Sequence, residues 1–76
     1  MNHQPVSSSQ LYSVAYSPET QTMEIRFKDR KTGLPGSLYE YYQVPAFVHT
    51  ELMAAESVGN YFSQNIKTNF QYKKIS

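Results

Sequence analysis

Residues Thr22–Lys28, TMEIRFK, constrain this chain more than any other stretch: Met23, Ile25 and Phe27 alternate with Glu24, Arg26 and Lys28. Side chains on an extended strand point to opposite faces with period two. An apolar set backed by a charged set predicts an antiparallel strand with one side on a core and the other in water. The rest of the chain must then supply partner strands and a layer to cover the apolar face.

Both flanks supply strand patterns. Upstream, Tyr12, Val14 and Tyr16 alternate with Ser13 and Ala15, and Leu11 precedes them, so Ser9–Tyr16 is read as a strand. Ser17-Pro18-Glu19-Thr20 is the turn between the two, because proline presets φ for a turn's second position. Downstream, Asp29–Gly36, DRKTGLPG, is a polar loop punctuated by Gly33, Pro35 and Gly36, which predicts a long hairpin loop over 28–38. Leu38–Val44 is the next strand. Glu40 sets its orientation: an unpaired buried carboxylate is costly, so Glu40 faces water. Tyr39 and Tyr41 then face the core, while Leu38 and Tyr42 share the outer face with Glu40. Tyr42 is the exposed ring of the three.

Period two gives way to helical spacing after Val44-Pro45. Proline suits a helix's first turn, where its missing N–H costs little. Val48, Leu52 and Ala55 recur on one face, with Phe47 and Val44 near it, and the helix is expected to end near Glu56. Ser57 is a good N-cap for a second helix, which tolerates Gly59 early and carries Phe62 and Ile66 as its stripe, with Tyr61 beside them. Phe70–Ile75 reads as a short final strand. The predicted order is β-β-β-α-α-β, an α+β domain: a small antiparallel sheet with two helices on one face. Residues 1–7 are read as a flexible tail and 8–76 as a single domain.

At 76 residues the chain supports one domain. Such a domain buries only roughly 60–65% of its unfolded surface, so its core is thin. There is no cysteine, which removes disulfides, thiol nucleophiles and the usual zinc frameworks. Seven tyrosines and four phenylalanines supply bulk instead, and tyrosine can span core and rim. The formal charge of +1 does not announce a polyanion partner. No apolar run approaches a membrane span and the first ten residues lack a secretory pattern, so the expectation is a cytoplasmic protein without a membrane partner.

Catalytic chemistry is sparse. The three glycines form no phosphate-binding pattern. His3 and His49 lie far apart without acids in ligand spacing, so neither a metal nor a cofactor is expected. Glu51 and Glu56 do not share a helical face and read as solvated. A Ser–His–acid arrangement would need His49. The chain is therefore expected not to be an enzyme. What remains is basic: Arg26, Lys28, Arg30 and Lys31 on the outward face and the following loop, with Lys67, Lys73 and Lys74 near the C-terminus. With Tyr42 among them, these cations would hold phosphates while the ring stacks on a base, a mixture that binds RNA. The bland reading is that such residues keep the outer face soluble and discourage edge pairing.

The stretches SSSQLYSVAYSPETQTMEIRF and YEYYQVPAFVHTELMAAESVGNYFSQNI resemble the KTSC domain. The features that carry the resemblance are Ser8-Ser9 with Leu11, Val14 and Tyr16, then Ile25 and Phe27, then Tyr39-x-Tyr41 followed by Val44-Pro45. Leu52, Ala55 and Ser57-x-Gly59-x-Tyr61-Phe62 through Ile66 complete the set. That family is named for a C-terminal extension of some lysyl-tRNA synthetases and occurs as short stand-alone bacterial and phage proteins. The resemblance implies a small domain of unassigned function, with RNA binding suggested by the synthetase context. This chain departs from the pattern between Phe27 and Tyr39, where KDRKTGLPGSL is longer and more basic. The leading expectation is a non-catalytic binding module for RNA. The alternative is a protein-interaction module, homodimeric or with another protein, using the sheet edge or the long hairpin.

Overall fold

The computed structural model describes residues 1–76. Strands β1 (Gln4–Pro5), β2 (Leu11–Ser17), β3 (Thr22–Lys28) and β4 (Pro35–Tyr41) precede helices α1 (Ala46–Ala54) and α2 (Val58–Asn65), and β5 (Tyr72–Lys74) closes the chain. The five strands form one antiparallel sheet in sequential order, so the architecture is the expected α+β layer pair. The segment read as a tail contributes a fifth strand: Gln4 and Pro5 pair with Val14 and Ser13.

The alternation in β3 works as the sequence implies. Met23 pairs with Tyr16 and Tyr41, and Ile25 with Val14 and Tyr39, on the inner face. Glu24 lies between Ala15 and Glu40 on the outer face. Tyr41 is 3% exposed and Tyr39 packs partly buried against the core, so both phenols turn inward as Glu40's orientation required.

Each helix contributes a short apolar stripe. In α1 it is Val48 and Leu52, four residues apart; in α2 it is Val58 and Phe62, with Ile66 one turn on. The Ser57 hydroxyl caps α2 by accepting the Asn60 amide at 3.2 Å, satisfying a backbone donor that a first helical turn leaves free. Leu11, Val14, Met23, Ile25, Val44, Leu52 and Ile66 are almost wholly buried, each such side chain worth about 1.5–3 kcal/mol relative to exposure. Gly59 explains how α2 sits so close to the start of β2: a Cβ there would meet Gln10 Oε1 at 3.2 Å and Ser8 Oγ at 3.4 Å.

Several boundaries differ from the sequence reading, each for a local reason. Strand β4 begins and ends three residues earlier than Leu38–Val44. It ends at Tyr41 because Gln43 takes φ 57°, and the Val44 amide donates to the Gln21 carbonyl at 2.9 Å, not to a ladder partner. It begins at Pro35 because the expected long loop folds on itself. The Asp29 carboxylate accepts the Lys31 and Thr32 amides at 2.8 and 3.1 Å, and the Asp29 amide donates to the Leu34 carbonyl. Those two amides hold the Asp29 carboxyl below its usual pKa. A register shift between Arg26 and Lys28 lets Pro35 pair with Lys28. Another shift, between Leu11 and Ser13, takes Tyr12 out of the alternation and gives its core place to Leu11. Helix α1 stops at Ala54, short of Glu56, and Phe47, expected near its buried face, is 63% exposed: it precedes Val48, and adjacent helical positions lie about 100° apart. The final strand is confined to Tyr72–Lys74.

Candidate functional site

The structure divides the basic set read from the sequence between two faces. Arg26 stays on the outer face, where its Nη1 donates to the Gly36 carbonyl at 2.9 Å and the Ser76 hydroxyl at 3.3 Å. Tyr42 is half-buried, and its hydroxyl donates to Glu40 Oε1 at 2.8 Å. That hydrogen bond, with some burial and the adjacent charge, raises the Tyr42 pKa. Glu24, Glu40 and Lys73 are cross-strand neighbours on this face, so it carries both signs of charge. A basic outer platform with a free Tyr42 ring is not assembled.

Lys28 and Arg30 instead line a groove on the helix side. Strand parity would send Lys28 outward, yet it borders this groove at the end of β3, where the register against β4 shifts. The groove is about 910 Å³ and lies between the inner faces of β3, β4 and β5 and the stretch from α2 to β5. Lys28, Arg30 and Lys67 are its charged residues, and no carboxylate lines it. The one ion pair within contact distance in the chain, His3–Glu24, lies elsewhere. Lys31 lies outside the lining, exposed in the turn.

The groove is also aromatic. Tyr39, Tyr41 and Tyr72 contact one another, with ring centroids 5.6–6.4 Å apart. Phe62 meets Tyr41 edge-on at 5.7 Å and Phe27 at 5.3 Å. Tyr72 is 57% exposed, leaving ring surface open beside the cations. The YxY pair thus plays two parts: it packs the core on one side and floors the groove on the other. Sequence reasoning assigned only the first. The missed signal was Tyr72, which shares the parity of Tyr39 and Tyr41 once β5 pairs with β4.

The remaining family positions are structural. The Ser8 hydroxyl accepts the Gln10 and Leu11 amides at the entry to β2. The Tyr16 hydroxyl donates to the Val44 carbonyl at 2.6 Å, anchoring the Val44-Pro45 corner. The Tyr61 hydroxyl donates to Glu51 Oε1 at 2.7 Å, tying α2 to α1. Burial, then Glu51, pushes the Tyr61 pKa up to about 12. His49 stacks on Tyr16 at 4.8 Å, and burial lowers its pKa. A hydrogen-bonded Ser–His–acid chain does form, with His3 in place of His49. His3 Nε2 donates to Glu24 Oε1 at 2.8 Å, and the Ser13 hydroxyl lies 2.8 Å from Nδ1. Since a carboxylate only accepts, Nε2 carries a proton, and in that tautomer Nδ1 accepts a hydrogen bond from the Ser13 hydroxyl. The Ser13 side chain is buried beneath this contact, and the group clasps the N-terminal segment to the sheet.

Fold and groove together define a small α+β domain with an incompletely roofed antiparallel sheet. The KTSC domain family model matches residues 7–70, and the chain belongs to that family. A crystal structure of a KTSC domain protein from Yersinia pestis is 39% identical, covers 99% of this chain and 97% of that one, and superposes with a TM-score of 0.85. A lysine–tRNA ligase of Nostoc sp. is 43% identical over 61 residues, 80% of this chain but only 10% of the ligase. The chain thus spans about a tenth of that enzyme. An uncharacterized protein of Stutzerimonas stutzeri is 36% identical over 76 residues, 99% of both chains.

Proposed function

We propose that this KTSC domain is a non-catalytic binding module that takes single-stranded RNA into the inner groove. The observation that carries the reading is the lining: three cations without a carboxylate, set beside a three-tyrosine cluster with one ring largely open. Cations hold phosphates and exposed rings stack on bases, each sequence-tolerant and each suited to unpaired strands. Lys74 is the cross-strand partner of Tyr39 and adds charge beside the groove. Relatives in which the same stretch forms a tenth of a lysine–tRNA ligase place similar domains in enzymes that handle an RNA. The alternative, a protein-interaction module on a sheet edge, draws less support. One edge strand is two residues long and ends in Pro5, and the other carries Lys73 and Lys74, features that discourage edge pairing.

Fluorescence anisotropy with a labelled single-stranded RNA at low salt tests the reading. Binding is expected to weaken steeply as salt rises. Lys28→Glu with Lys67→Glu should reduce affinity at least tenfold, while Arg26→Glu and Tyr42→Phe on the outer face should change it little. Absent binding, or a larger loss from the outer-face variants, would sink it.

A further inference from the structure

Three tyrosines donate their hydroxyls within the protein: Tyr16 to Val44, Tyr42 to Glu40 and Tyr61 to Glu51. Tyr41, the most buried of the seven, has no such partner, although a buried hydroxyl left unpaired is costly. It is not sealed in, since no fully buried side-chain polar atom in the chain lacks a partner, and Tyr41 lines the groove. Tyr41 as a whole residue is only 3% exposed, packed against Phe62, Tyr39 and Tyr72. The Tyr41 hydroxyl therefore has no protein partner and opens onto the groove, free to donate to whatever occupies it.

The chemistry of the surroundings selects the acceptor. Lys28, Arg30 and Lys67 can only donate and no carboxylate offsets them; the other polar side chains of the lining, Ser9, Gln10, Ser37, Ser63 and Thr68, are neutral. Three cations without a countering carboxylate favour an anionic group over a neutral base edge. Resting on the RNA reading above, we infer that the Tyr41 hydroxyl donates to a phosphoryl oxygen of the ligand, with the three cations as countercharge: the groove floor is a phosphate subsite. Burial, then the neighbouring Tyr39 and Tyr72, pushes the Tyr41 pKa up to about 12, so the hydroxyl keeps its proton at neutral pH.

Tyr41→Phe removes the hydroxyl and keeps the ring. Affinities of wild type and variant are compared for a 5′-phosphorylated single-stranded RNA, the same RNA with a 5′-hydroxyl, and inorganic phosphate. The expected result is an unchanged melting temperature and about tenfold weaker RNA binding, as for loss of a hydrogen bond to a charged acceptor. A loss for both RNAs identifies a backbone phosphodiester; a loss for the phosphorylated RNA alone identifies a terminal phosphate. Equal affinity of wild type and variant overturns the subsite and leaves RNA binding intact. If wild type binds inorganic phosphate but no RNA, and the variant loses that phosphate, the subsite stands and the RNA reading falls. Should wild type bind none of the three probes, both fall. Should Tyr41→Phe fail to fold, wild-type protein labelled at tyrosine Cζ reads the same contact by NMR. A Tyr41 Cζ shift on saturation with RNA is expected, and an unmoved signal overturns the inference.

Discussion

The inner face of one sheet is built in two ways. Its β2–β3 side presents Leu11, Val14, Met23 and Ile25, all closed off from solvent. Its β4–β5 side presents Tyr39, Tyr41 and Tyr72, packed on one another and open to a groove. Two short helices of nine and eight residues cannot roof both halves. Aliphatic side chains have no use for water, so the helices cover them. Phenols tolerate the half-covered position, because a ring can bury its body and leave its oxygen at the rim. The incompletely roofed half is where the groove lies.

Truncations test whether the aromatic half still carries structural weight. Tyr41→Ala should cost about 3–5 kcal/mol, as deletion of a buried ring does. A variant that unfolds in urea at the parent's midpoint would show that the tyrosines belong to the groove alone. On the aliphatic side, Ile25→Ala should cost about 2–5 kcal/mol and leave RNA affinity of the folded fraction unchanged. A specific loss of binding there would erase the division between the halves.

Alkaline titration sharpens the comparison further. The Tyr41 pKa rises from 10.0 to about 12 on folding, so the native state holds its phenol proton more tightly than the unfolded chain. The associated stability is fully present below pH 10 and is lost as pH rises through 10 towards 12. Tyr61, raised to about 12 as well, adds to the same window. Urea midpoints followed from pH 9 to 12 should fall, and the fall should be shallower in Tyr41→Phe. A curve of unchanged steepness would mean that Tyr41 is as hydrated as in the unfolded chain. The smallest stability effect belongs to Tyr72: at 57% exposure, Tyr72→Ala should cost about 1 kcal/mol, the loss of a cross-strand aromatic pair, yet weaken RNA binding several-fold.

Local residue order alone determined the period-two strand Thr22–Lys28, the outward Glu40 with inward Tyr39 and Tyr41, the Ser57 cap and the Phe62–Ile66 stripe. Each follows from side-chain direction within a single element or from one residue's hydrogen-bonding capacity. The division of the basic residues was decided elsewhere. Lys28 has outward parity in the sequence, yet in the structure it borders the groove at the end of β3, where the register against β4 shifts. Tyr72 and Lys67 join it from the far end of the chain because β5 closes onto β4. Bulges and non-local strand pairing depend on the loops and helices around them, so no local pattern announces which cations and rings will meet.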